Sequence, residues 1–425
     1  MANRVIFHVD ANSAFLSWTA VYRRKVLGEK LDLRTVPSVI AGDRASRHSI
    51  ILAKSLPAKR FGIQTGEPLF QAQQKCPELL IAEPDYALYV ESSRHFVSLL
   101  REFSPCVEQY SIDEAWVDMT GTTGLFGEPC MAAERLRRRV KEELGFTVNV
   151  GVSSNKLLAK IAGDFEKPDK VHTLFPDEIQ KKMWPLPVRD LFMVGAATER
   201  KLRRMGICTI GELAQADPVL LQKKLYKPGL TLWHWANGRD TQEVRAVPEE
   251  NKGYGNSVTV PEDLCTTSAA HQTLLSLCET VGMRLRKDGK IGRCLTVSLR
   301  SNQFEDTMRQ QLLPNATNGT EELYHAACRI FDAFWDGKTP LRQLGVQVTR
   351  LEEGSCRQYD FLSEISAEQY ERKAKVDEAL DEIREKYGED AVKRARFVGS
   401  KLPHMAGGLS KERRTGVTKE IPKEF

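Results

Sequence analysis

The nine cysteines contain no CxxC pair, and the chain has no HExxH, no GxxxxGK(S/T) and no GxGxxG. Zincin, P-loop and dinucleotide-fold readings therefore lose the residues their chemistry needs, and the cysteines read as free thiols. No stretch approaches the roughly 18 uninterrupted apolar residues of a membrane helix. The opening MANRVIFHVD turns acidic before a signal-peptide core forms, so a cytoplasmic location with free thiols is the expectation. Asn315 and Asn318 begin glycosylation sequons that matter only after secretion, and Asn318-Gly319 reads instead as a turn. Charge of one sign is scarce as well. Lys plus Arg total 62 against 57 for Asp plus Glu, a net +5, too mild to demand a polyanionic partner without a local concentration of charge.

What is present is an ordinary globular balance, 41% hydrophobic and 28% charged over 425 residues. At roughly 150 residues per domain, this predicts about three domains. Residues 4–10, RVIFHVD, are a short β-rich apolar run that delivers Asp10 to a strand end, and Val36 to Ile40 and Ile50 to Leu52 are further strand candidates flanking a Gly-containing loop. The spacing of Tyr89, Val90, Val97, Leu100 and Phe103 predicts a helix over 86–103. Residues 107–119 suggest a hairpin with Asp113-Glu114 at or near its turn, followed by a helix marked by Leu136, Val140 and Leu144 and a strand from Phe146. Strand, helix, hairpin, helix, strand is the order of a split βαβ, ferredoxin-like sheet. Prolines 168, 176, 185 and 187 punctuate a boundary, after which 189–214 reads as helix, Gly turn, helix. Across 181–240 there are eleven Lys/Arg against five Asp/Glu, a surplus of six in one small helical unit. From Gly253, alternating strands bracket Arg284, Arg286, Lys287, Lys290 and Arg293, a second α+β domain with a basic edge. Ala367 to Tyr387 is a charged amphipathic helix, and 399–425 a polar tail expected to be disordered.

Three acids, Asp10, Asp113 and Glu114, stand at ends or turns of strands that can neighbour one another in a sheet. Gathering carboxylates is costly unless cations neutralise them, and Mg²⁺ suits one or two carboxylates together with substrate phosphates. Two such ions activate a hydroxyl and stabilise a leaving pyrophosphate, which is nucleotidyl transfer. On spacing alone, Asp113-Glu114 equally suits a solvated hairpin turn. Lys160, in SSNKLLAKIA, opens a helix after a strand and can reach a triphosphate, or can be an exposed helix lysine.

The segments HVDANSAF (8–15), AKRFGIQTG (58–66), YSIDEA (110–115), GVSSNKLLAKIA (151–162) and KGYGNSVTVP (252–261) resemble, in order over roughly 4–350, the Y-family DNA polymerases and their bacterial polymerase IV and UmuC-like branch. The resemblance implies an α+β, right-hand polymerase architecture with a ferredoxin-like palm (1–165), small fingers inserted at about 11–82 and a helical thumb with a helix-hairpin-helix (166–240). A little finger (245–352) and a C-terminal extension (353–398) follow. It implies Asp10, Asp113, Glu114 and the Ala11 carbonyl as ligands of two Mg²⁺, Phe15 as the aromatic gate against ribonucleotides, and Lys59 and Lys160 as triphosphate contacts. The same resemblance places Gly195, Arg200, Lys201, Thr259, Ser298 and Arg300 against DNA backbone, and makes Gln358, Phe361 and Leu362 a sliding-clamp peptide with inverted Phe-Leu order. Primer–template DNA and deoxynucleoside triphosphates are the implied partners of a monomer doing template-directed, low-fidelity translesion synthesis.

The chain departs from the family at Leu56, where relatives often carry Tyr, at Lys59, where many carry Arg, and at Ser13, where many have an aromatic residue. Gly195 is followed by Ala196 and Ala197 rather than the usual Gly-x-Gly, and Thr209 with Glu212 doubles as a capping box. Two rivals stand beside the polymerase: a catalytically weak clamp- and DNA-binding adaptor, and a palm-type nucleotide cyclase. The cyclase leaves the basic helical unit and the 250–350 domain unexplained.

Overall fold

The computed structural model describes residues 4–42, 49–247, 249–353, 367–399 and 404–405, and the chain divides near residue 248 into two compact units. In the first, the opening apolar run forms β1 (Ile6–Ala11), followed by α1 (Ala14–Lys25). A small sheet ordered β3-β2-β4 comes next, made of β2 (Ser38–Ala41), β3 (Ile51–Lys54) and β4 (Leu80–Ala82), with helices α2 (Leu56–Arg60) and α3 (Leu69–Lys75) between its last two strands. The chain returns through α4 (Tyr86–Arg101), the hairpin β5 (Val107–Gln109) and β6 (Glu114–Asp118), α5 (Thr123–Phe126) and α6 (Pro129–Arg139). Then come β7 (Val148–Ser153), α7 (Lys156–Asp164) and β8 (Val171–Thr173).

β1 is the middle strand of a five-stranded sheet ordered β5-β6-β1-β7-β8, antiparallel to both neighbours, with β8 parallel to β7. This is the split βαβ order read from the sequence, extended by one strand. Alternation along β1 sorts its faces. Phe7, Val9 and Ala11 enter the main core with Ala115, Val117, Val148 and Val150, whereas His8 and Asp10 point to the opposite face, on which α7 packs. That packing is close because position 151 has no side chain. A Cβ on Gly151 would meet the Ala159 carbonyl oxygen at 1.9 Å and the Gly163 nitrogen at 2.4 Å, so only glycine lets α7 approach β7 this way.

The basic helical region follows as α8 (Ala196–Arg204), α9 (Ile210–Gln215), α10 (Pro218–Leu225) and α11 (Lys227–Ala236), with Leu202, Ile210, Leu213, Leu221 and Leu232 sharing a core with Leu157, Leu158 and Ile161 of α7. The expected helix, Gly turn, helix is α8, Gly206 at φ +81° and α9. The capping box is formed: Glu212 N–H donates to Thr209 Oγ1 at 3.2 Å, and the Glu212 carboxylate accepts from Thr209 N–H at 2.9 Å.

The second unit is a four-stranded antiparallel sheet ordered β11-β10-β12-β9, built from β9 (Gly253–Leu264), β10 (Lys290–Ser301), β11 (Asp306–Thr317) and β12 (Leu341–Glu353). Helices α12 (Thr267–Lys287) and α13 (Thr320–Asp332) cover one face. Leu274, Leu277 and Val281 pack there against Leu295, Val297 and Leu344. The helix predicted from charge pattern is α14 (Ala367–Tyr387), and it is anchored by ions rather than left in solvent. Arg286 of α12 pairs with Asp381 at 2.6 Å and Asp377 at 3.2 Å, and buried Glu279 accepts from Arg384 at 3.0 Å and from Arg394. Among the described residues eight cysteines are all free thiols, and no helix is long and apolar enough to cross a membrane.

Candidate active site

In the first unit, a cavity of about 550 Å³ opens at the end of β1, between the start of α1, the β3–α2 segment and the loop after α7. Its size falls within the roughly 300–1,000 Å³ of ordinary small-molecule sites. Asp10, Ala11, Phe15, Lys59 and Asp113, all singled out from the sequence, line it. The strand ends are tied there: Ala11 N–H donates to the Asp113 carbonyl at 2.9 Å, and Asp10 pairs in register with Glu114 on one side and Asn149 on the other. Residues 139 positions apart in the chain thereby share one face of one sheet.

Burial raises the Asp10 carboxyl above the usual aspartate range, and the neighbouring Asp113 adds to this against the pull of Lys167. Lys167 bonds Asp10 directly and Asp164 at 2.8 Å, and these carboxylates outweigh its burial to raise its own pKa. Asp113 Oδ1 accepts from Ser111 Oγ at 2.6 Å. Four cations, Arg34, Lys54, Lys59 and Lys167, line the same cavity, and the Arg34 guanidinium is held by Asp32 at 2.8 Å and the Gly145 carbonyl at 2.8 Å. Lys54 Nζ donates to the Ile63 carbonyl at 2.6 Å, and its burial lowers its pKa. Lys59, on α2, is exposed and has no acidic partner among the described residues. Leu56, first residue of α2, lines the cavity and is half exposed.

Phe15 projects from the first turn of α1 into the cavity wall. Its ring stacks on Tyr89 at 4.3 Å and 7°, with Tyr86 edge-on at 6.0 Å. Thr19 Oγ1 donates to the Phe15 carbonyl at 2.8 Å and lies 3.1 Å from the Tyr89 hydroxyl, so the ring is held from both backbone and face.

Two residues read as site members stand outside this lining. Glu114 is held by Lys160, and its Oε2 lies 3.0 Å from His8 Nε2. Lys160 is engaged there and lies 5.4 Å from the centroids of both Tyr110 and Phe192. Burial alone would raise the Glu114 carboxyl, but the contacts from His8 and Lys160 overcome it and bring it down to about 2 from an ordinary 4.5. Burial keeps His8 neutral by lowering its pKa. The depressed Glu114 value means the ionised form stabilises the fold above pH 4.5, and this stabilisation is lost as pH falls towards 2. Glu114→Gln is therefore expected to lower unfolding stability at pH 7 by up to about 3 kcal/mol. In metal-free buffer, urea titrations of both proteins should show the gap closing as the pH is lowered from 5 to 3.

The sequence reading missed Lys167, Lys54 and Arg34. The only local signal for Lys167 is a lysine-proline pair just past α7, in EKPDK, one of many lysines without a pattern of its own.

Among the described residues, no three His, Cys, Asp or Glu side chains converge into a metal site complete in protein ligands. The donor set at the cavity is instead two hard carboxylates, Asp10 and Asp113, beside the Ala11 main chain. That set suits a hard divalent ion completing its shell with water and substrate phosphate oxygens.

The predicted backbone contacts lie elsewhere. Gly195 precedes α8 as its N-cap, and Arg200 and Lys201 are exposed on that helix. In the second unit, Thr259 and Arg300 both pair with Gln343 in one row across the sheet, and Ser298 lies two residues from Arg300 on the same face. That face is turned away from the α12–α13 core, whose residues Val297 and Leu299 alternate with them. Arg300 is already engaged, bonding Asp306 at 2.7 and 2.9 Å. Gln358, Phe361 and Leu362 lie outside the described residues.

Residues 9–164 match the impB/mucB/samB family, 176–207 the IMS family HHH motif, and 251–361 the impB/mucB/samB family C-terminal domain. DNA polymerase IV of Clostridium acetobutylicum is 44% identical over 394 residues, spanning 92% of this chain and 98% of that protein. DNA polymerase IV of Alkaliphilus oremlandii is 36% identical over 403 residues, covering 93% and 99%. DNA polymerase IV 2 of Bacillus subtilis is also 36% identical over 403 residues, covering 93% and 95%. A solved Y-family DNA polymerase chimera of Dbh and Dpo4 shares the fold, with a TM-score of 0.70 at 21% identity over 82% of this chain and all of that one. A carboxylate pair sharing a cavity with four cations, on a sheet of this order and with relatives matching over nine-tenths of the chain, leaves one assignment: the chain belongs to the Y-family of DNA polymerases, in the impB/mucB/samB group that includes the bacterial DNA polymerases IV.

Proposed function

We propose that the protein adds deoxynucleotides to a primer 3′ end under template direction, with Mg²⁺, and serves low-fidelity translesion synthesis. The observation that carries the reading is the cavity itself, which Asp10 and Asp113 line together with Arg34, Lys54, Lys59 and Lys167. A nucleoside triphosphate needs both, cations for its phosphates and carboxylates for the ions that travel with it. Asp10, Asp113 and the Ala11 carbonyl would hold two Mg²⁺. When bound, the ions supply activation of the primer hydroxyl and neutralisation of charge on the leaving pyrophosphate. Lys59 and Lys167 flank the phosphates as point charges, which bind without the bidentate fork of arginine. The Phe15 ring sits where a ribose 2′-hydroxyl would meet it. Glu114, carboxylate-charged at neutral pH, serves as the third acid once Lys160 releases it.

In this reading, residues 1–165 are palm with fingers inserted at about 11–82, 166–240 thumb and 245–352 little finger. Exposed Arg200 and Lys201 and the polar sheet face of Thr259, Ser298 and Arg300 bind DNA backbone, positioning it without reading sequence. The 358–362 peptide tethers a cytoplasmic monomer to the sliding clamp and raises its effective concentration at the primer.

Primer extension with deoxynucleotides and Mg²⁺, on plain and abasic templates, tests the proposal. Extension by the wild-type protein that is lost on chelation supports it. DNA and clamp binding without extension would replace it with the adaptor reading, which nothing at the cavity favours.

A further inference from the structure

We infer that Asn12 and Asn149 are the positioning residues for Lys167, a buried amide pair that holds the loop carrying this lysine over the cavity. The inference rests on the reading of that cavity as the triphosphate site. Asn149, on β7, is fully buried and stands in register opposite Asp10. Its Nδ2 donates to two carbonyls, Gly163 at 3.1 Å and Glu166 at 2.6 Å. Its Oδ1 accepts from Asn12 Nδ2 at 3.0 Å, and Asn12 Oδ1 in turn accepts the Asp169 N–H at 2.9 Å. Main-chain groups on both sides of Lys167 are thereby clamped to β7 and to the residue that follows β1, and these are the two strands that carry Asp10 and its neighbour. Between the end of α7 at Asp164 and the start of β8 at Val171, no regular element does this work.

The chain of donors and acceptors closes only with amides at both positions. The carbonyls of Gly163 and Glu166 can only accept, so residue 149 must offer two N–H groups, and it must also accept from residue 12. Aspartate at 149 donates nothing and adds a carboxylate beside Asp10. A leucine there leaves the buried Gly163 carbonyl without its donor and takes from the Glu166 carbonyl its shorter bond, leaving His172 Nε2 at 3.3 Å. At position 12 the side chain must donate to Asn149 and accept from Asp169, which among common side chains of this length only asparagine does. The pair thus fixes a cation against Asp10 in the empty state and places the same ammonium where an incoming triphosphate arrives, with its ordering cost already met.

The test compares wild type, Asn12→Ala, Asn149→Asp, Lys167→Ala and Lys167→Ala/Asn12→Ala, each checked by thermal melting. The readout is the Kd of dTTP for each protein on a dideoxy-terminated primer opposite template dA, alongside the KM and kcat of extension. Asn12 is only partly buried, so its truncation leaves a foldable protein even where Asn149→Asp does not. We expect Asn12→Ala to weaken nucleotide binding by about tenfold, the scale of a displaced positioning contact, with KM rising more than kcat falls. We expect no further loss in the Lys167→Ala background. A lower melting temperature with unchanged Kd, or full additivity with Lys167→Ala, overturns the role of the pair while leaving the site reading in place. An unchanged Kd in Lys167→Ala itself overturns both.

Discussion

Asp10→Asn is expected to cut primer extension by about a thousandfold or more in kcat, since several kcal/mol of charge stabilisation depend on it and each 1.4 kcal/mol is about tenfold. The fold should not suffer with the activity. Asp10 is desolvated enough for its pKa to be raised, so in the native state its charge is held at a cost that the unfolded chain does not bear. For an acid with a raised folded-state pKa, that cost is present above the folded value and disappears as pH falls below both values. Asparagine has the same shape and removes the charge, while Lys167 keeps Asp164 as a partner. A melting temperature at pH 7 equal to or above that of wild type, together with lost extension, identifies Asp10 as a residue retained for chemistry at some expense of stability. Equal loss of both would make it a structural acid instead.

Phe15→Ala is expected to raise ribonucleotide use relative to deoxynucleotide use by about a hundredfold, roughly 3 kcal/mol of relieved clash. The measured quantity is the ratio of kcat/KM for matched ribo- and deoxynucleotides, in which general damage to the protein cancels. Stability will fall as well. The ring stacks on Tyr89 and meets Tyr86 edge-on, but it is only partly buried, so about 2 kcal/mol is expected rather than the 3–5 of a fully buried ring. Phe15→Leu keeps most of the volume and should fall between wild type and Ala in selectivity. An unchanged ratio in Phe15→Ala would return the residue to the core, as a packing ring at the mouth of a cavity.

Local pattern and tertiary packing contributed different things to this site. The strand ending at Asp10, the hairpin bearing Asp113 and Glu114, the capping box at Thr209 and the bounds of Ala367–Tyr387 were all legible, because each depends on residues within a few positions of one another. Hydrophobic alternation, turn residues and caps act at that range. The same signals could not rank the lysines. Lys160 and Lys167 are seven residues apart on either side of a helix end, and both suit a phosphate contact on paper. Which one meets the cavity is decided by how α7 lies on β7, and that depends on Gly151 admitting the helix backbone.

Charge pairing was equally hidden. Glu114 stands opposite Asp10 in the sheet, yet His8, two residues before Asp10, and Lys160 from α7 take its carboxylate away from the cavity lining. Arg34 and Lys54 reach the same cavity from elements more than a hundred residues from Lys167. The strand–helix–hairpin order around Asp10, the family resemblance and the acids on which the chemistry rests were readable from residues alone, because these are written in short contiguous motifs. Which cations share the cavity with those acids, and what holds them there, emerges from packing alone, because side-chain partners are chosen by strand register and helix packing across the chain, to which local periodicity is blind.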